Sequence, residues 1–130
     1  MRHLMLILPV VFLTLLLANP VLSADFQKAT DAYNKGDFAT AMKEWTPLAE
    51  QGNASAQHNV GVMYKDGEGV PQDYKAAAKW FTLAAEQGIA AAQSNLGVMY
   101  KGGEGVPQDY KAAVKWLTLA AEQGHSQAQS

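Results

Sequence analysis

The sequence contains no cysteine and a single arginine, Arg2. The first absence removes disulfides, thiol catalysis, iron–sulfur clusters and cysteine-ligated zinc. The second, with a net charge of −2, argues against a surface built to neutralise nucleic-acid phosphates. Charged residues are scarce at 17% while hydrophobic residues reach 48%, which argues against disorder for the bulk of the chain. At 130 residues the chain has the length of one domain with a modest core.

One long hydrophobic run is present, and it stands at the start. Arg2 and His3 give a short positive opening, and the apolar run from Leu4 to Ala18 ends at Asn19-Pro20. Small residues follow at Ser23 and Ala24. This is the three-part layout of a secretory signal peptide over 1–24, with cleavage after Ser23 or Ala24. An uncleaved anchor is the competing reading, because the segment nearly spans a bilayer. Pro9, the Asn-Pro break and the small residues favour cleavage. The segment is then the chain's only contact with a membrane, and no cysteine follows it to carry a lipid. From residue 25 onward there are nine lysines, twelve acids and no arginine. An exported domain of this kind is expected to hold together by packing alone.

The rest of the chain repeats itself. Residues 53–88 and 89–124 align without a gap and differ only at 53, 55, 58, 60, 66, 78 and 81. A period of this length marks stacked supersecondary units. Each unit reads as two helices and nothing in it reads as strand. Ala56, Val60, Met63 and Tyr64 share one side of the first helix, about Ala54 to Lys65, with Asn53 as its cap. Asp66-Gly67-Glu68-Gly69-Val70 breaks it, and Pro71 is expected in the first turn of the second helix. Tyr74, Ala77, Ala78, Phe81 and Ala84 or Ala85 form that helix's apolar stripe, which Gly88 ends. A degenerate unit over 25–52 precedes these two. Ala41, Trp45, Leu48 and Ala49 stand 36 residues before Ala77, Phe81, Ala84 and Ala85, but the connection after Tyr33 is five residues shorter. Residues 125–130 read as the start of a further unit.

These residues carry a resemblance. Ala92, Leu96-Gly97, Tyr100, the segment from Gly103 to Tyr110, Ala113, Lys115-Trp116 and the Ala120-to-Gly124 run resemble the Sel-one-like repeat (SLR). Residues 53–88 carry the same pattern, and the short-looped first unit resembles the related tetratricopeptide repeat. The resemblance implies an all-α, right-handed superhelix (an α/α solenoid) of antiparallel helix pairs. It also implies an adaptor or scaffold that binds a protein or peptide, in a bacterial periplasm or secreted, without catalysis or cofactor. Gly61 and Gly97 have a packing reason of their own. Glycine inside a helix costs roughly 0.5–1 kcal/mol relative to alanine, so its presence predicts a close approach of two helices.

Catalytic alternatives are thin. No Ser-x-x-Lys and no Gly-x-Ser-x-Gly occurs. Cysteine-rich members of the SLR family suggest an alternative, an envelope enzyme acting on peptidoglycan or β-lactams, and this chain departs from them in lacking every cysteine. Ser55 and His58 share a helix face, but no third group is evident to orient the pair. No metal-ligand cluster is apparent, and Gly67-Glu68-Gly69 follows a helix without the lysine and hydroxyl of a phosphate loop. Lys75/Lys79 and Lys111/Lys115 read as solvated faces, and Trp80 and Trp116 as packing between units.

The resemblance also implies that first helices line the concave side. The expected binding positions are Ser55, His58, Val62, Lys65 and Asp66, then Ala91, Ser94, Val98, Lys101 and Gly102. At the far end, Trp116 and Leu119 repeat Trp80 and Leu83 with no polar replacement. An uncapped apolar face is expected there, favouring association with another copy or a partner.

Overall fold

Short polar side chains set the helix starts. Asp25, Asp37, Asn53, Asp73 and Asp109 each accept a hydrogen bond from the backbone N–H three residues on, at 2.9–3.2 Å. The computed structural model describes the backbone of residues 25–129 and side chains as far as Gly124; the signal-peptide segment lies outside the described residues. Six helices follow one another: α1 Phe26–Asn34, α2 Phe38–Glu50, α3 Ala54–Asp66, α4 Tyr74–Glu86, α5 Ala90–Gly102 and α6 Tyr110–Gln129. No strand occurs among the described residues. Each helix packs on the next, making a solenoid of antiparallel pairs α1–α2, α3–α4 and α5–α6.

Pro71 is not in a helix. The chain runs extended through 71–73, and Asp73, not Pro71, opens α4. The reason lies in two hydrogen bonds that tie this segment back to α3: Asp73 N–H to the Tyr64 carbonyl (2.8 Å) and Gln72 Nε2 to the Lys65 carbonyl (2.8 Å). The next unit repeats both, from Asp109 to Tyr100 and from Gln108 to Lys101. Tyr74, expected in the buried stripe, is exposed at the helix start, where its hydroxyl meets Gln72 Nε2 at 3.2 Å.

The core is made of small residues. Ala77, Ala84 and Ala92 are fully buried with Phe81 and Leu96 in one cluster; Ala29, Ala41 and Ala56 surround Trp45, Val60 and Met63 in the other. Trp80 packs on the cluster that joins its unit to the one before, and Trp116 does the same one unit later, as the spacing implies. A Cβ placed on Gly61 would lie 2.8 Å from the Phe81 ring, and one on Gly97 would lie 2.7 Å from Leu117 Cγ. The helices of the pairs α3–α4 and α5–α6 thus each meet at a glycine.

A buried polar seam joins the units. Gln57 and Gln93 are inside the protein, each donating Nε2 to a carbonyl of the preceding helix, Ala49 at 3.1 Å and Ala85 at 3.2 Å. Gln87 and Gln123 then donate to Gln57 Oε1 and Gln93 Oε1, both at 2.8 Å. Satisfied on both sides, these amides are buried without the penalty of an unpaired polar group.

Two features of the last unit differ from expectation. α6 runs through Gly124 to Gln129 instead of breaking there. Glycine permits the left-handed turn found at Gly88 but does not impose it. The uncovered face also lies elsewhere than Trp116 and Leu119. Leu119 is as exposed as Leu83 (37% and 38%), so it owes nothing to a missing neighbour. Val114 is 64% exposed where Ala78 is 3% exposed, and Ala121 is exposed where Ala85 is buried.

Candidate functional site

The first helices α1, α3 and α5 form a row. Between α1 and α3 lies a cavity of about 370 Å³. Phe26, Thr30 and Tyr33 enter from α1, and His58, Asn59 and Val62 from α3; Trp45 of α2 completes the lining. Their placement follows from helix geometry, since side chains three or four apart share a face. Phe26 and Tyr33 both pack against Trp45, with ring centroids 5.9 and 5.6 Å apart at tilted angles. Tyr33 is held by its hydroxyl, which donates to Glu68 Oε1 at 3.0 Å. Burial, then the Glu68 carboxylate, holds its phenol above the ordinary value, so it keeps its proton. The Thr30 hydroxyl is spent on the Phe26 carbonyl at 3.1 Å. None of the seven lining side chains is an acid or a lysine.

His58 joins this cavity to the next helix. Asn95 Nδ2 approaches its Nε2 at 3.4 Å, and Asn59 Oδ1 lies 3.4 Å from its Nδ1. An amide nitrogen can only donate and an amide oxygen only accept, so the pattern assigns the proton to Nδ1. A second proton on Nε2 would face a donor. Burial, and secondarily the Lys65 ammonium, lower the imidazole's affinity for protons, with Asn59 opposing them. His58 is neutral at pH 7 and packs on Phe81 at 5.7 Å between centroids.

The expected binding residues divide into two groups. His58 and Val62 line the cavity, and Lys65 donates to Asn95 Oδ1 at 3.4 Å while lying 3.9 Å from Asp66. Ser55, Asp66, Ala91, Ser94, Lys101 and Gly102 are exposed on the same row without converging on it, and Val98 is 54% exposed. The Ser55–His58 pair does not form, because Asn59 and Asn95 take both ring nitrogens. No group of three or more His, Asp or Glu capable of holding a metal occurs among the described residues.

Phe26, Thr30, Tyr33, Trp45 and Asn59 were not among the expected positions. Four of these five belong to the degenerate first unit, whose irregular loop hides its register. The usable signal was Trp45 standing where the next units have Phe81 and Leu117. Asn95, which links His58 to Lys65, is shared by both regular units and so did not stand out. A second cavity of about 410 Å³, between α1 and the start of α2, is walled by the charged Lys28, Asp31, Lys35 and Asp37 among others.

The geometry has relatives. The family model described as Sel1 repeat matches residues 54–89 and 90–125. A solved Sel1 repeat protein from Oxalobacter formigenes is 35% identical with a TM-score of 0.72, over 76% of this chain and 40% of that one. A protective antigen present in uropathogenic Escherichia coli strains, displaying an SLR fold, is 42% identical with a TM-score of 0.68, over 72% of this chain and 21% of that one. The chain therefore spans less than half the length of either. No curated protein matches it.

Proposed function

Since the chain belongs to the Sel1 repeat family, a family of helical-repeat protein-interaction modules, we propose that it is an exported, non-catalytic adaptor. It takes a peptide or protein segment along the concave row α1–α3–α5. The observation carrying this reading is the uncharged, aromatic-floored cavity between α1 and α3, continuous through His58 and Asn95 with exposed positions on α5. Pockets of this size, mostly apolar with a few polar groups, are the usual form of a binding site. The rim mixes Lys65, Lys101 and Asp66, so affinity is expected to fall only moderately with salt.

The partner is to be identified by photo-crosslinking from Ser55, Ser94 or Val98 in the native compartment. His58→Gln with Lys65→Gln is expected to weaken its binding about tenfold, the effect of losing central contacts, with unchanged helicity. Substituting the exposed Lys79 and Lys115 on the second helices should leave affinity intact. Binding lost only with the latter pair places the partner on the other face.

Export makes its own prediction. The mature protein is expected to begin at Ala24 or Asp25, read by intact mass. A membrane-bound species retaining Met1 contradicts it.

A further inference from the structure

One carboxylate stands beside the point where export is expected to cut the chain. Asp25 N–H donates to Glu44 Oε2 of α2 at 3.2 Å, and Lys28 Nζ lies 3.4 Å from Glu44 Oε1. The Glu44 side chain is only 15% exposed, so this carboxylate is largely withdrawn from water. Its lysine partner is 62% exposed, which weakens the hold between them. The Asp25 N–H keeps the Glu44 carboxyl below its ordinary value; burial opposes this, and Lys28, then Lys43, assist it. The next residues make a second contact between the same elements, Phe26 against Trp45 with ring centroids 5.9 Å apart. Two consecutive residues at the start of α1 are thus seated on two consecutive residues of α2, and the second pair belongs to the cavity lining.

We propose that Glu44 is the receptor for the α-ammonium of the mature protein, created by cleavage after Ala24, and that this pair seats Phe26 in the wall of the groove. The inference rests on the export reading above and chooses between its two starting residues. Cleavage turns the Asp25 nitrogen from a neutral amide into an ammonium without having to move it, since it already lies within hydrogen-bond distance of Oε2. The bond has an ionised acceptor before cleavage; afterwards the donor is ionic as well, and the attraction of opposite charges is added. A cation at the start of a helix opposes the macrodipole, so it needs a carboxylate beside it. Two are in place. One is Glu44; the other is Asp25's own, which caps α1 by accepting from the Lys28 N–H at 3.2 Å. The remaining charges near the pair are the Lys28 ammonium from α1 and Lys43 from α2, both acting on Glu44. A start at Ala24 would carry the charge about 3.8 Å further up the chain and leave the Asp25 nitrogen an amide.

The test uses the mature chain with Asp25 as its first residue, unsubstituted and as Glu44→Gln, each with a free or an acetylated α-amino group. Acetylation keeps the N–H and removes the charge. The α-amino pKa, read by nitrogen-15 NMR titration, is expected to fall by about half a unit in Glu44→Gln, the size of a partly exposed ion pair. Because Glu44 raises that pKa, the stability it contributes through the ammonium is whole below it and is lost as pH rises through it. At about pH 6, acetylation should therefore lower the thermal midpoint by about 3 °C more in the unsubstituted protein than in Glu44→Gln. At about pH 10 it should act equally on the two. Amide exchange in α1 should quicken with the acetyl group, while α5 and α6 do not respond. An α-amino pKa indifferent to Glu44→Gln, or an equal effect of acetylation on both proteins at about pH 6, overturns the proposal by showing that Glu44 serves Lys28 alone. Exported protein whose intact mass starts at Ala24 also overturns it and leaves the export reading standing. A species retaining Met1 defeats that reading, and this inference with it.

Discussion

Gly61→Leu is expected to be among the most damaging single substitutions in this protein. The Phe81 ring already lies 2.8 Å from where the first added carbon would sit, and Phe81 is fully buried between two complete units. Neither side can yield without separating α3 from α4. Overpacking of this kind typically costs about 1–3 kcal/mol, and a small domain loses roughly 4–8 °C of thermal midpoint per kcal/mol. Gly97→Leu makes the same change one unit later, but its neighbour Leu117 is only half-buried and can swing toward solvent. The two variants should therefore both destabilise, Gly61→Leu by more. Thermal unfolding followed by circular dichroism decides it. Unchanged midpoints would mean that the helix pairs do not close on these glycines.

That ordering could not have been read from the sequence, although the glycines could. Periodicity and cap chemistry were enough to place the helix pairs, because the apolar stripe recurs at helical spacing and Asn53 stands just before it. Gly61 and Gly97 announced a close contact by their cost in a helix. Pro71 misled, since a proline near a helix start is usually inside it, and here tertiary hydrogen bonds to the end of α3 hold the segment extended. The buried glutamines were illegible for a different reason. Gln57 and Gln93 look like solvated residues in a list, and only the carbonyls of Ala49 and Ala85 and the partner amides of Gln87 and Gln123 make their burial affordable. Difference between units was also an incomplete guide to the groove. Of the seven differing positions His58 was informative, whereas Ile89 in place of Asn53 trades a helix cap for an apolar contact with the second cluster. Trp45, in the unit that aligns least well, proved to be the floor of the cavity.

The second large effect should come from a loop rather than a helix. Gly103 and Gly105 have nearly the same left-handed backbone, φ 68° and 72°, so an alanine at either bears a similar conformational cost of about 1–2 kcal/mol. Their surroundings differ. A Cβ on Gly103 would meet the Gln108 side chain at 3.2 Å, within its own loop. A Cβ on Gly105 would overlap the Tyr74 carbonyl at the start of α4, in the preceding unit. Backbone at a capped helix start cannot move aside as a side chain can, so the loop itself must lift away. Gly69 repeats the arrangement against Phe38, where the Cβ would sit 2.8 Å from the carbonyl oxygen. Gly105→Ala is thus expected to lose more stability than Gly103→Ala in urea unfolding. In a solenoid, stability is a sum of unit and interface terms, and a lifted loop weakens the interface between units rather than either unit alone. Amide exchange should accordingly quicken in α5 and α6 while α1 and α2 stay protected. Equal losses for the two alanines, or faster exchange spread evenly over all helices, would show that the loop does not seat on Tyr74.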